Sequence, residues 1–351
     1  MKIYGVIMAG GGGTRFWPLS RQKTPKQLLN LSGNELMINE AADRLLALTD
    51  ELFVVTNKTQ VSAMKEAVKG RIDETHILSE PSARNTAACI GYAAMEIIRK
   101  YGDGLMIITP SDAYIRNEKA FTEVLKKAVD AAKSGDNLVT IGIEPTFPAT
   151  GYGYIRMEGE GEVRKVLQFK EKPDLETAME YLLSGDYVWN SGMFLWKAST
   201  ILRKFETLLP DIYADLVKIG DAMNTPEERK VIDEVYPSIR KISIDYGIME
   251  KSENILVVPG EFGWSDVASW DMLGKLHDED ENHNVCVGNV LPISVTNSVL
   301  YSSSRLIAAI DLDNIVVAEM NDVVMVCPKD KVQDVKKIVD TLNEKKMEDY
   351  L

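Results

Sequence analysis

The sequence concentrates its chemistry just after its first apolar run, in Ala9-Gly10-Gly11-Gly12-Gly13-Thr14-Arg15, and again at Lys26 in Thr24-Pro25-Lys26-Gln27. Consecutive glycines let a backbone approach a ligand closely and aim successive N–H groups at phosphate oxygens. Arg15 adds a permanent cation beside that loop, and Lys26 a second. This is not a Walker A loop, because no Lys-Ser/Thr follows the last glycine. Nor does it have the G-x-G-x-x-G spacing of a dinucleotide site, which disfavours a nicotinamide dehydrogenase. Pro18 argues against a helix directly behind it. The competing reading is a plain glycine turn among surface charges. Further along, Glu80 opens Glu80-Pro81-Ser82-Ala83-Arg84-Asn85. A carboxylate can accept two hydrogen bonds from the N1–H and N2–H edge of guanine, whereas adenine presents an acceptor at N1. Asn85 could equally cap the helix that follows it. Asp112, in Pro110-Ser111-Asp112, lies past a buried strand where a carboxylate could hold Mg2+, although Asp is also a common turn residue.

The elements that must position these residues alternate. Residues 3–8, 52–56, 105–109 and 138–143 are near-continuous apolar runs of strand length, and 35–48, 85–100 and 118–133 have helical spacing. That order predicts a doubly wound α/β sheet with right-handed crossovers, in which ligands sit beyond the carboxyl ends of the strands. After Gly151 the pattern becomes mixed, with strands expected near 152–157, 163–169 and 187–196 and a helix from Asp174. Helical stretches are expected over 198–219, 226–235 and 245–251. The acidic run 277–283 reads as a solvated linker rather than a metal site. Beyond it, 289–326 gives short apolar runs punctuated by Asn, Asp and Ser, which read as stacked β turns, and 331–346 reads as a closing helix. Trp189, Phe194 and Trp196 alternate along a strand and read mainly as core, with a sugar contact as the alternative.

Composition bounds the function. Of 351 residues, 45% are hydrophobic and 26% charged, ordinary for a globular chain with a sizeable core. The net charge of −13 argues against a nucleic-acid-coating protein but permits a local cationic pocket. Three scattered cysteines form no disulfide framework or zinc site, and three histidines are too few for multi-histidine catalysis. The N-terminal apolar run is too short for a signal peptide and no stretch suffices for a membrane span, so a cytoplasmic protein with no nucleic-acid or membrane partner is expected.

Taken together, GGGGTRFWPLSR, PKQLL, EPSARNTA, PSDAYI, ATGYGYI, FKEKP, WNSGMF, SIDYGIME, FGWSDVASW and VVMVCPKDKVQDVKKIV span nearly the whole chain. In this order they resemble the mannose-1-phosphate guanylyltransferases (GDP-mannose pyrophosphorylases) of the sugar-nucleotidyltransferase family. The resemblance implies a Rossmann-like, doubly wound mixed-sheet nucleotidyltransferase domain over 1–284. A small C-terminal β segment over 285–351, left-handed β-helix-like, would follow with a closing helix. It leaves no room for the phosphomannose-isomerase domain of longer, bifunctional relatives. It implies GMP transfer from GTP to α-D-mannose 1-phosphate, giving GDP-mannose and pyrophosphate, with Mg2+ as cofactor. The nucleotide would be held by Ala9, Gly10, Gly11, Gly12, Gly13, Thr14, Glu80, Arg84, Asn85 and Ser111. Arg15, Lys26 and Lys172 would act on the phosphates, Lys172 gripping that of the sugar. Gly151, Glu171 and Asn190 would contact the sugar, and Asp112 and Asp266 the metal. Two positions depart from the family pattern: Ala113 stands where relatives usually have His after the metal aspartate, and Gly12 where Ser or another residue is common. The C-terminal segment is a candidate surface for a homodimer, which its residues alone do not show.

Such a reaction suits a chain poor in histidine. The attacking phosphate oxygen is already ionised, so catalysis needs positioning and charge neutralisation rather than a general base. The same chemistry on another sugar 1-phosphate, a heptose or glucose phosphate, is the near alternative. A catalytically silent nucleotide-sugar sensor is the distant one, and it predicts loss of Arg15, Lys26 or an acidic metal ligand, all of which are present.

Overall fold

A computed structural model describes all residues, Met1–Leu351. The chain divides into two compact units, one of Met1–Gly10, Ala41–Ser111 and Ile115–Trp264, the other of Gly11–Glu40, Asp112–Tyr114 and Ser265–Leu351.

The first unit is built on a nine-stranded sheet. Its strands are β1 (Ile3–Ala9), β2 (Glu51–Asn57), β3 (Ile77–Glu80), β4 (Leu105–Pro110), β5 (Leu138–Ile143), β6 (Tyr154–Glu158), β7 (Arg164–Lys170), β8 (Tyr187–Lys197) and β9 (Ile255–Gly260). The order is β3-β2-β1-β4-β8-β5-β9-β7-β6. The apolar runs pair in parallel as expected, β1 with β2 and β4, and β2 with β3. The 11-residue β8 runs antiparallel to both β4 and β5, which makes the sheet mixed. The helices Asn85–Tyr101 and Glu118–Lys133 form where the periodicity placed them. The expected helix over 198–219 is two, Ala198–Leu208 and Pro210–Ala222. Pro210 has no N–H to continue a helix, but its fixed φ suits the first turn of a new one. The core joins Val6, Val55 and Ile108 to Phe194 and Trp196, so these two aromatics are core residues.

In the second unit, Phe16, Trp17, Leu29 and Leu31 share a core with Val267, Trp270, Val285, Val299, Val316 and Val335. The Trp270 indole donates to the Trp17 carbonyl (3.0 Å) and the Trp17 indole to the Tyr350 carbonyl (2.8 Å). Strands Val285–Val287, Val299–Ser302 and Ile315–Met320 stack in parallel, as do Val290–Ile293 and Ile307–Ile310. Ser294, Asn297, Asp311 and Asn314 take positive φ between these rungs, a conformation that short polar side chains tolerate. The stacked-turn expectation is met as a β-helix-like segment. The closing helix is Val335–Glu344, shorter than expected, because its first turns (Lys329–Asp334) are 3-10. No helix is long and apolar enough to cross a membrane.

Candidate active site

Three groups of the sequence-picked residues come together, two in the first unit and one in the second.

The first lies at the carboxyl ends of β1 to β4. The Ala9 carbonyl accepts from Thr56 Oγ1 (3.0 Å), and the Ser111 N–H donates to the Met8 carbonyl (3.1 Å). Glu80 ends β3 and is only 4% exposed. One carboxylate oxygen accepts from the Tyr236 hydroxyl, and the other lies 2.9 Å from where a Cβ on Gly10 would stand. Any side chain at position 10 would press on that carboxylate. Burial pushes the Glu80 carboxyl up to about 7, against the lowering effect of the Tyr236 hydrogen bond. Asn85 does not cap as a regular N-cap: it takes φ +67°, and its Oδ1 accepts from the Thr86 N–H (2.8 Å). The buried Arg84 Nε has no hydrogen-bond partner.

The second group gathers at the ends of β6, β7 and β8. Lys172 Nζ contacts Glu171 Oε1 (2.7 Å), and the Glu171 N–H donates to Glu250 Oε1 (2.8 Å). Asn190 gives Nδ2 to Asp245 (2.9 Å), while its Oδ1 accepts from Thr140 Oγ1 (3.1 Å) and the Gly192 N–H (3.2 Å). Burial, then the charge of Glu171, pushes the Asp245 carboxyl well above the usual range. For the Lys172 ammonium, burial acts downward, but the hydrogen bond and charge of Glu171 outweigh it and the net shift is upward. Lys172 is not extended, as its place before Pro173 predicts. It takes φ +46°, its N–H donating to the Tyr152 carbonyl (3.2 Å), so a tertiary hydrogen bond overrides the local bias. Gly151 has open space around it, whereas a Cβ on Gly153 would stand 2.5 Å from Glu171 Oε2 and 3.3 Å from Asn190 Cβ. Gly153 and Asp245 thus pack directly against Glu171 and Asn190, and sequence reasoning passed over both, although they lie in quoted blocks, ATGYGYI and SIDYGIME. Trp189 stands edge-on to Tyr152 (5.1 Å between centroids), which is also edge-on to Trp264 (5.5 Å).

The third group belongs to the second unit. Lys26 is 4% exposed, and its ammonium contacts Asp112 Oδ2 (2.9 Å), the Asp112 carbonyl (3.2 Å) and the Asp266 carbonyl (2.6 Å). Its three donors thus have three acceptors. Gly13 makes this possible: it sits at φ +60°, and a Cβ there would stand 2.5 Å from Lys26 Cβ. Gly11 and Gly12 carry no such constraint, with nothing closer than 4.0 Å. Behind Asp266, Val267 holds φ +40°, a strained conformation for a β-branched residue, with its N–H on Ser265 Oγ (3.2 Å). Arg15 donates to Gln333 Oε1 (3.1 Å), and Gln333 Nε2 to Ser269 Oγ (2.9 Å). Thr14 and Arg15 lie in a single 3-10 turn, so no regular helix follows the glycines.

Comparison with known proteins shows the family. The family described as Nucleotidyl transferase has a model that matches residues 4–283, and that described as MannoseP isomerase/GMP-like beta-helix domain matches 288–342. The mannose-1-phosphate guanylyltransferase RfbM of Salmonella typhimurium LT2 is 39% identical over 359 residues, covering 100% of this chain and 74% of that protein. The mannose-1-phosphate guanylyltransferase of Escherichia coli K12 is 38% identical over 357 residues, 97% of this chain and 73% of that one. A crystal structure from Thermus thermophilus, described as a mannose-1-phosphate geranyltransferase, superposes with a TM-score of 0.88 at 33% identity. It covers 98% of this chain and 100% of its own.

Proposed function

The chain belongs to the nucleotidyl transferase family, and from that premise we propose that it transfers GMP from GTP to α-D-mannose 1-phosphate. A phosphate oxygen of the sugar phosphate attacks the α-phosphorus of GTP. The new P–O bond gives GDP-mannose, and the bond to the β-phosphate breaks, releasing pyrophosphate with its electron pair. No proton need be removed from the nucleophile.

In this reading Gly10, Gly11, Gly12, Gly13 and Thr14 supply backbone N–H groups to the triphosphate, and Ala9 and Ser111 also bind the nucleotide. Arg15 and Lys26 neutralise phosphate charge. Glu80 accepts from the guanine edge, framed by Arg84 and Asn85. Lys172 takes the sugar phosphate, and Glu171, Asn190 and Gly151 the sugar, with Asp245 holding the Asn190 amide in place. Residues 1–284 carry the reaction and 285–351 the β-helix-like segment.

The observation that carries the reading is the convergence of Asp112, through its carboxylate, and Asp266, through its main-chain carbonyl, 86 and 240 positions from Lys26, on that one buried ammonium. Two aspartates in such a place suit Mg2+, a hard cation usually bound through one or two carboxylates and completed by substrate phosphates. Asp112, with a side chain 43% exposed, and Asp266 would hold it. Bound there, Mg2+ would neutralise charge on the reacting phosphates. The chain's own part is to keep both aspartates beside Lys26 and to fix that lysine against Gly13.

A reaction drawing on GTP goes with a cytoplasmic enzyme. Exposed Leu291 and Ile293, in register with Ala308 and Ile310 of the neighbouring rung, support self-association as a homodimer. The direct test of the chemistry is label transfer. With mannose 1-phosphate and Mg2+, α-labelled GTP should yield labelled GDP-mannose, and γ-labelled GTP labelled pyrophosphate. Appearance of the γ label in the sugar product would overturn attack at the α-phosphorus.

A further inference from the structure

Glu80 has a neighbour that no site role so far includes. Tyr236 opens the short 3-10 turn Tyr236–Ser238, is fully buried, and stands edge-on to Tyr92 at 5.8 Å between ring centroids. Its hydroxyl reaches across 156 positions of sequence to one oxygen of the Glu80 carboxylate. With the ring fixed by core packing, that bond sets the rotation of the carboxylate. The second oxygen is then the one beside Gly10.

We propose that Tyr236 is a positioning residue for base selection: its hydroxyl keeps the Glu80 carboxylate ionised and turned so that the other oxygen meets the nucleotide base. The inference rests on the assignment of Glu80 to the guanine edge. An ionised carboxylate accepts from guanine N1–H and N2–H and repels the N1 lone pair of adenine. A protonated one can donate to adenine N1, so loss of ionisation erodes the choice in both directions. Glu80 is poised for that loss, because burial pushes its carboxyl up to about 7 and the Tyr236 hydrogen bond is what opposes the shift.

The other groups around Glu80 do not replace this donor. Cys89 and Tyr92, from the helix Asn85–Tyr101, are buried groups whose own ionisation burial pushes up, so both are neutral near pH 7. Arg229 gives Nη1 to the Ser79 carbonyl (3.2 Å), and its other nitrogens go to Asp233. Tyr236 itself stays a donor at every working pH, since burial and then the charge of Glu80 hold its phenol well above 10.

The experiment measures kcat/KM for GTP and ATP between pH 6 and pH 9 in the wild type, Tyr236→Phe, Glu80→Gln and the double variant. Tyr236→Phe keeps the ring and removes only the hydroxyl. It should lower the GTP/ATP preference about tenfold, the size of one lost bond to a charged group. The loss should be deepest at pH 6 and smaller at pH 9, because Glu80 without its donor ionises later. The double variant should be no worse than Glu80→Gln alone. Should the Phe variant melt too early to assay, 3-fluorotyrosine at position 236 tests the same hydrogen bond while keeping the hydroxyl. As a stronger donor it should move the fall in GTP preference to lower pH. A wild-type ratio and pH profile in the Phe variant, or an unmoved profile with fluorotyrosine, overturns the role of Tyr236. An unchanged ratio in Glu80→Gln instead overturns the base assignment itself, so the two failures are distinct.

Discussion

Glu80 and Lys26 are equally buried, each 4% exposed, and they are satisfied in opposite ways. Lys26 has three oxygen acceptors for its three donors, from Asp112 and Asp266. Glu80 has one phenol donor on a carboxylate that can accept several hydrogen bonds. The charge proposed to handle phosphate is thus assembled by the fold, whereas the charge proposed to read the base is only half supported by it. In the proposed reaction the nucleotide base supplies the rest.

The largest effects should come from the assembled side. Lys26→Met should lower kcat by about 10²–10³, in line with ~2.7–4 kcal/mol for a lost transition-state donor, as read by steady-state kinetics. Asp112→Asn and Asp266→Asn should each lower kcat and raise the divalent-cation requirement, with the double variant much less than additive. Wild-type rate and cation dependence in both single variants would remove the second unit's cluster from the reaction.

Next comes Lys172, whose ammonium is exposed beside a buried carboxylate. Lys172→Met should raise KM for mannose 1-phosphate about tenfold, the lower end of a bond to a charged group. GTP affinity measured by calorimetry without sugar should stay near wild type. An unchanged sugar-phosphate KM would make Lys172 a surface lysine beside a turn.

A pH series sharpens the contrast further. The Glu80 carboxyl is raised in the fold from its ordinary 4.5 to about 7. Between those values the native state binds more protons than the unfolded state, so this group's contribution to stability is full below about 4.5 and is lost as pH rises through 7. Glu80→Gln should therefore gain thermal stability relative to wild type between pH 5 and pH 8, by about 1–2 °C for each kcal/mol involved. A constant difference across that range would show that Glu80 is not the strained partner. The smallest effect is expected at the Arg15–Gln333 contact, where both side chains are exposed. Gln333→Leu should change kcat by no more than about twofold to threefold, the scale of ~0.5 kcal/mol.

How much of this the sequence showed follows from distance along the chain. The strands ending before Gly10 and Ser111 were legible because apolar runs buried on both faces are local patterns, whereas the four-residue strand Ile77–Glu80 was too short to read. The charged residues were legible because they follow those runs. The bent course at Leu209-Pro210 was readable in principle from a proline that can only begin a helix. The backbone of Lys172 was not legible, because the local bias toward an extended conformation before Pro173 yields to a hydrogen bond from elsewhere in the fold. Tyr236 and Asp245 went unseen because their hydrogen bonds to Glu80 and Asn190 span 156 and 55 positions. Gly153 was hidden beside Gly151, since only coordinates tell which of two glycines faces Glu171.

The central claim, GMP transfer from GTP to mannose 1-phosphate, is tested most directly by pyrophosphate release from the purified chain with Mg2+. GTP, ATP, CTP and UTP are each paired with mannose, glucose and heptose 1-phosphates. The account predicts the highest kcat/KM for GTP with mannose 1-phosphate, and ATP lower by about tenfold to a hundredfold, as ~1.5–3 kcal/mol at Glu80 requires. Equal rates with ATP and GTP, or pyrophosphate release independent of any sugar phosphate, would contradict it.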